Sequence, residues 1–175
     1  MAKWVIDSDH SVAGFTVKHF MIANVRGQFN NITGTIQFDP ADVAHSSVQA
    51  VIDVSGIYTG IQKRDDHIRS PDFLDVAKHP EIIFKSVKVE SAGGNRLRVT
   101  GDLTMIGITR PVVLDAEYAG PIKSPYGETS IGFAAATKIS REDYGIKWNE
   151  AMEGGGVIVG KDVEITVDVE ADLAD

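Results

Sequence analysis

The feature that most constrains this chain is an alternation of apolar and polar residues with a period of two, repeated in segment after segment. Near the C-terminus Val163, Ile165, Val167 and Val169 alternate with Asp162, Glu164, Thr166, Asp168 and Glu170. An extended backbone places these on opposite sides, one wholly apolar and one polar or acidic. Leu97, Val99, Gly101, Leu103 and Met105 do the same against Arg96, Arg98, Thr100, Asp102 and Thr104. Related patterns run through Ala13-Phe15-Val17-His19, Val48-Ala50-Ile52-Val54, Val112-Leu114-Ala116-Tyr118 and Ile131-Phe133-Ala135-Thr137-Ile139. Two segments change phase. Odd positions are apolar in Val25-Gly27-Phe29 and even ones in Ile32-Ile36-Phe38, which predicts a bulge or turn at Asn30-Asn31. The slip from Ile82-Phe84 to Val87-Val89 predicts another near Ser86.

Turn chemistry separates the runs. Gly93-Gly94-Asn95 and Pro125-Tyr126-Gly127 read as hairpin loops, and Asp39-Pro40-Ala41-Asp42 closes the third strand. About eight or nine strands at short spacing predict an all-β antiparallel barrel or sandwich. With no repeat, linker or low-complexity tract, residues 1–175 are expected to form one domain. The exception to the β pattern lies between residues 60 and 78. Ile61 to Arg69 is rich in helix formers. Ser70-Pro71 then has the form of an N-cap with proline at the first helical position, predicting a second short helix through Val76. A further helical turn is expected from Ser140.

Charge and composition narrow the partners. The net charge is -8, so phosphate backbones are repelled and nucleic acid is not an expected partner. There is no cysteine, which removes disulfides, thiol catalysis and thiolate metal sites. No stretch approaches the ~20 apolar residues of a membrane-spanning helix. Met1 to Asp9 shows no signal-peptide h-region, so a cytoplasmic location is expected, or a periplasmic one if a leader was trimmed.

The ordered motifs resemble the YceI-like family of lipid- or polyisoprenoid-binding proteins. They begin with Trp4-Val5-Ile6-Asp7, His10-Ser11 and Phe15-Thr16-Val17-Lys18-His19, then Val25-Arg26-Gly27-Gln28-Phe29 and Gly34-Thr35-Ile36-Gln37-Phe38-Asp39. The most specific is Arg64-Asp65-Asp66-His67-Ile68-Arg69-Ser70-Pro71-Asp72-Phe73-Leu74-Asp75. Gly101 to Val112 and Ile139 to Gly145 complete the series. The resemblance implies an extended, lipocalin-like antiparallel barrel with a long apolar tunnel for an isoprenoid or fatty chain. Leu74 and His79 depart from the family pattern, which would alter pocket shape or polarity.

On this reading the expected ligand-binding residues are Phe15, Val17, His19, Val25, Phe29, Ile36, Phe38, His67, Phe73, Phe84, Met105, Phe133 and Trp148. Room for a chain is expected from small residues on one strand face: Gly132, Ala134 and Ala136, or Ala13 and Gly14, or Gly27. The bland alternative is that the aromatics are ordinary core. His10, His19 and His67 are candidates for polar groups at the mouth, for metal ligands, or for the acid or base of a lipid-acting enzyme. No HxH or HExxH spacing supports a metal, and no GxSxG, P-loop or GxGxxG supports catalysis, so neither metal nor cofactor is expected. A hydrogen bond from His67 to Asp65 or Asp66 is the structural alternative. Arg26, Arg64, Arg69, Arg110 and Arg141 are possible partners of a phosphate head group, against surface ion pairing within Lys63-Arg64-Asp65-Asp66. A homodimer through sheet edges stays open.

Overall fold

The computed structural model describes residues 1–175. Nine strands form one closed antiparallel sheet: β1 (Lys3–His19), β2 (Ala23–Phe29), β3 (Ile32–Gln37), β4 (Ser47–Asp53), β5 (Glu81–Gly93), β6 (Arg96–Met105), β7 (Ile108–Lys123), β8 (Thr129–Ser140) and β9 (Val159–Leu173). Neighbours in sequence are neighbours in the sheet from β3 to β9, and β1 closes the ring against β9. The residues 13–19 of β1 pair with β2, and Lys3–Val5 pair with β3. The strands β2 and β3 are therefore two halves of one barrel stave, broken at the phase change at Asn30-Asn31. The result is an eight-stave barrel, the size class that is either filled by side chains or holds one slim ligand.

The second expected slip is a bulge: the β5–β6 register shifts between Ser86 and Lys88, and Val87 between them is 70% exposed. Another interrupts β1 against β9 between Asp7 and Val12. Bulges of this kind bend long strands around a closed sheet. At ~3.3 Å per residue and a tilt of ~40°, a strand as long as β9 spans roughly 35–40 Å of barrel height.

The two ends differ. One carries the chain termini and the hairpins at Gly94-Asn95 and at 124–128. It is sealed by Phe38, 2% exposed, whose ring meets Tyr118 and Phe133 edge-on at 4.9 and 5.3 Å. The Trp4 indole N–H donates to the Phe38 carbonyl at 3.2 Å. The other end carries the β1–β2 hairpin tip, the β4–β5 connection and the β8–β9 connection.

The β4–β5 connection contains the single α-helix, α1 (Gln62–Arg69). Its polar side chains fasten it to the preceding segment. The buried Asp65 carboxylate accepts from the Thr59 backbone N–H at 2.9 Å and from the Thr59 hydroxyl. Arg64 donates to the Thr59 carbonyl at 2.7 Å, and Arg69 donates to the Ser55 and Ile57 carbonyls at 2.8 and 3.1 Å. The helix expected after Ser70-Pro71 does not form; residues 71–78 are turns apart from Asp75. Their amides bond backwards, Leu74 N–H to Ile68 O, Val76 N–H to Arg69 O, so the segment spends its donors on the end of α1. Ser70 Oγ donates to the His67 carbonyl at 2.6 Å, which closes α1, and accepts from the Asp72 N–H at 3.3 Å, but no helix follows. A 3-10 turn does run from Arg141 to Tyr144, without a side-chain cap from Ser140.

Candidate functional site

The inward face of the barrel encloses a cavity of about 490 Å³, and 37 of its 47 lining residues are hydrophobic, so its wall suits an apolar occupant. The clearest sign that the lumen is hollow is the exposure of its wall. Val163, Ile165, Val167 and Val169 all line the cavity, yet all are only half-buried. Phe15, Val17, Phe84, Leu103, Leu114 and Ile139 share that state. In a close-packed interior such side chains are fully covered.

Two glycines explain how aromatics line the wall without filling it. A Cβ on Gly27 would stand 2.3 Å from the ring tip of Phe15, its partner across the β1–β2 pair. A Cβ on Gly101 would stand 2.5 Å from the ring tip of Phe84. Each ring tip occupies the space a side chain on the neighbouring glycine would take, a known device for glycine in sheets. Gly27 is thus occupied by an aromatic ring, not a source of open space as expected. The other expectation about small residues is also corrected. Gly132, Ala134 and Ala136 pair with Ala119, Glu117 and Asp115 and lie on the outer face. The small groups on the lumen wall are Ala13, Ala50, Ala116 and Ala135, with the backbone of Gly14.

The structure places Phe15, Val17, His19, Val25, Phe29, Ile36, Phe38, His67, Phe73, Phe84, Met105, Phe133 and Trp148 on this one wall. Phe38 and Phe133 stand at the sealed end. At the other end α1 and the turns after it form a flap, and at this flap end His67 stacks edge-on between Phe73 at 5.0 Å and Trp148 at 4.8 Å. Its Nε2 lies 2.9 Å from Asp72 Oδ2, so its carboxylate partner is neither Asp65 nor Asp66. Asp65 is committed to Thr59, and the turn at 71–75 brings Asp72 back to the imidazole. Leu74 lines the cavity; His79 does not, and its ring lies beside Gly107.

The expected grouping of His10, His19 and His67 is not formed. His19 and His67 line the cavity, while His10 stands exposed on the outer face, its Nδ1 2.6 Å from Asp7 Oδ2. The bulge in β1 turns it there, beside Glu170 of β9, and one ligand atom from each of Asp7, His10 and Glu170 falls within 4.8 Å of the others. The hydrogen bond to Asp7 raises the His10 pKa above its usual value and lowers that of Asp7.

The arginines separate by role. Arg141, 4% exposed, donates to four carbonyls: Gly160 at 2.8 Å, Ile146 at 2.9 Å, Trp148 at 3.0 Å and Val159 at 3.1 Å. It ties the β8–β9 connection to the start of β9, and burial lowers its pKa. Arg110 donates to the Asp143 carbonyl at 3.1 Å, and Arg26 is exposed on β2. The surface pairing expected within Lys63-Arg64-Asp65-Asp66 is replaced by Arg64–Thr59 and by Arg69–Asp66 at 3.2 Å. The ionisable lining residues are Lys18, His19, Arg64, His67 and Arg141, with no carboxylate among them, in a chain of net charge -8. All five belong to the flap end.

The Tyr144 hydroxyl is buried without a hydrogen-bond partner, and burial pushes its pKa up to about 12. No helix is long and apolar enough to cross a membrane.

Comparison with known proteins agrees with this architecture. The family model of the YceI-like domain matches residues 4–171. A "UPF0312 protein" of Vibrio parahaemolyticus is 38% identical over 147 residues, covering 83% of this chain and 78% of that protein. Among solved structures, Burkholderia cenocepacia BcnA superposes with a TM-score of 0.83 at 26% identity, over 94% of this chain and 98% of that one. A polyisoprenoid binding domain from Saccharophagus degradans, implicated in plant cell wall breakdown, shares the fold with a TM-score of 0.72 at 14% identity, over 98% of both chains.

Proposed function

The chain belongs to the YceI-like domain family, and on that premise we propose that it binds one elongated apolar lipid in the barrel lumen and carries it without chemical change. The observation that supports this most is the half-exposed apolar wall inside a closed sheet. A hydrocarbon chain laid along Phe15, Phe84, Leu114 and Val167 would complete the burial those residues lack. Covering several hundred Å² of such a chain is worth on the order of 10 kcal/mol before entropy costs, enough for stable binding without hydrogen bonds to the tail. The Saccharophagus degradans domain, a polyisoprenoid binder by name, makes a prenyl chain the first ligand to test.

The tail end belongs at the aromatic seal of Phe38, Tyr118 and Phe133, and the polar end beneath α1. Lys18, His19, Arg64 and His67 without a lining carboxylate favour a neutral or anionic head over a cationic one. A binding role fits His67 better than a catalytic one. Its imidazole is clamped by Asp72, Phe73 and Trp148, which holds the flap against the β8–β9 connection.

Organic extraction of the purified protein followed by mass spectrometry tests the reading. A co-purifying lipid with a long apolar chain, or uptake of prenyl and fatty probes by the extracted protein, is the expected result. A protein that yields no lipid and takes up neither class of probe overturns it.

A further inference from the structure

The β1–β2 hairpin ends in Phe20-Met21-Ile22, three large apolar residues that are 43%, 53% and 82% exposed. Phe20 and Met21 both sit at positive φ, 53° and 61°, where asparagine or glycine is the low-strain choice. This turn thus carries two disfavoured features together, backbone strain and exposed hydrophobic bulk. The Phe20 ring lies 3.8 Å from the His19 imidazole, centroid to centroid, and Phe20 still remains 43% exposed. Strain that persists alongside exposure is a pointer to a surface with a partner.

The tip does not stand alone. Phe20 N–H donates to the Ile158 carbonyl at 2.9 Å, which sets the hairpin beside the β8–β9 connection and its exposed Val157. The residues flanking the tip, His19, Val25 and Ile158, all line the cavity. The apolar patch is therefore continuous with the cavity wall at the flap end. The same connection carries exposed Glu150 and Glu153 beside exposed Lys147, and the hairpin carries exposed Lys18, so charge around the tip is mixed and attachment rests on its apolar side chains, which suits a bilayer without net charge. A narrow hairpin end is a wedge and not a flat face, which suits insertion among lipid head groups better than pairing with a second copy.

We propose that Phe20, Met21 and Ile22, with Val157, dock the protein on a zwitterionic lipid bilayer and set the mouth of the cavity against the membrane. The purpose of this surface, loading and unloading the lumen by contact, rests on the carrier reading above. Docking itself is separable from it. Attachment would come from apolar insertion and not from charge, so it should survive high salt.

The test uses the full chain, uncharged phosphatidylcholine vesicles and the variant F20N/M21G/I22S. Asparagine and glycine suit the left-handed backbone at 20 and 21, so the hairpin should fold at least as well as before. The expected result is that the wild type floats with the vesicles at low and high salt. The variant should partition roughly a hundredfold less. For a fluorescent prenyl or fatty probe, transfer from protein to vesicles should speed up with vesicle concentration for the wild type but not for the variant. Both should bind the probe equally in solution. A wild type that stays with the soluble fraction, a variant that floats as well as the wild type, or a wild-type dimer that the variant splits would each overturn the proposal. If neither form binds the probe, the carrier reading fails, and flotation alone still decides whether the tip docks.

Discussion

Filling the lumen should stabilise this protein, whereas filling a packed core destabilises it. Ala116 and Ala135 face each other across β7 and β8, and both line the cavity. Replacing Ala135 by phenylalanine adds on the order of 100 Å² of apolar side chain, because a buried phenylalanine covers ~150–250 Å². At ~25 cal/mol per Å² that is about 2.5 kcal/mol, less ~0.5–1 kcal/mol for ordering the side chain. The net gain for Ala135→Phe is therefore about 1.5–2 kcal/mol, or a rise in Tm of roughly 3–8 °C for a chain of this length. In a solid core the same change costs ~1–3 kcal/mol through overpacking. The measurement is urea or thermal unfolding of protein freed of lipid by extraction, since a bound ligand would raise the wild type by mass action. Affinity for a prenyl or fatty probe should fall at least about tenfold in the same variant. A destabilisation of about 1 kcal/mol or more, with probe binding untouched, would refute the hollow-lumen reasoning.

Three side chains outside the lumen's apolar wall, Arg141, Tyr144 and His10, give the other outcomes. Arg141→Lys should cost about 2–4 kcal/mol in unfolding free energy, because an ammonium cannot reach four carbonyls that the guanidinium fork spans, and buried acceptors are left unpaired. Tyr144→Phe should be neutral or mildly stabilising in denaturant titrations, since its buried hydroxyl has no partner to lose. In the parent, the Tyr144 neutral form is favoured by folding. Its contribution is fully present below pH ~10 and is lost as pH rises toward about 12, so one of the four tyrosines should ionise only near that value in an absorbance titration. The His10 imidazole, raised by its hydrogen bond to Asp7, should titrate above 6.5 by NMR and move back down in Asp7→Asn. The stability it lends is present below 6.5 and fades as pH climbs through the raised value.

The strands were legible because each inward residue of a closed sheet must alternate with an outward one, and β9 shows this almost without exception. Period two fixes which residues share a face but not always which face is inside. On β8 the small set Gly132, Ala134 and Ala136 and the large set Phe133 and Ile139 both suit a wall, and only pairing with Glu117 and Glu170 shows that the small set faces out. The opposition of Gly27 to Phe15 depends on the β1–β2 register, which no single strand encodes. Ser70-Pro71 imitates a helix start because a local cap signal does not register the carbonyls at the end of α1, which claim the amides of Leu74 and Val76. The hairpin tip at Phe20-Met21-Ile22 carries no glycine, proline or asparagine, so no residue type in it marks the turn. Arg141 offered a cation in sequence, but its partners are carbonyls brought together only by the β8–β9 connection.

Electron density in the lumen of crystals grown from protein purified without added ligand bears most directly on the hollow barrel. The expected result is a continuous tube of density, unassignable to side chains, running from beneath Trp148 and His67 toward the aromatic seal at Phe38. A lumen closed by inward-turned rings of Phe15 and Phe84, with no space for a chain between β1 and β6, would contradict it.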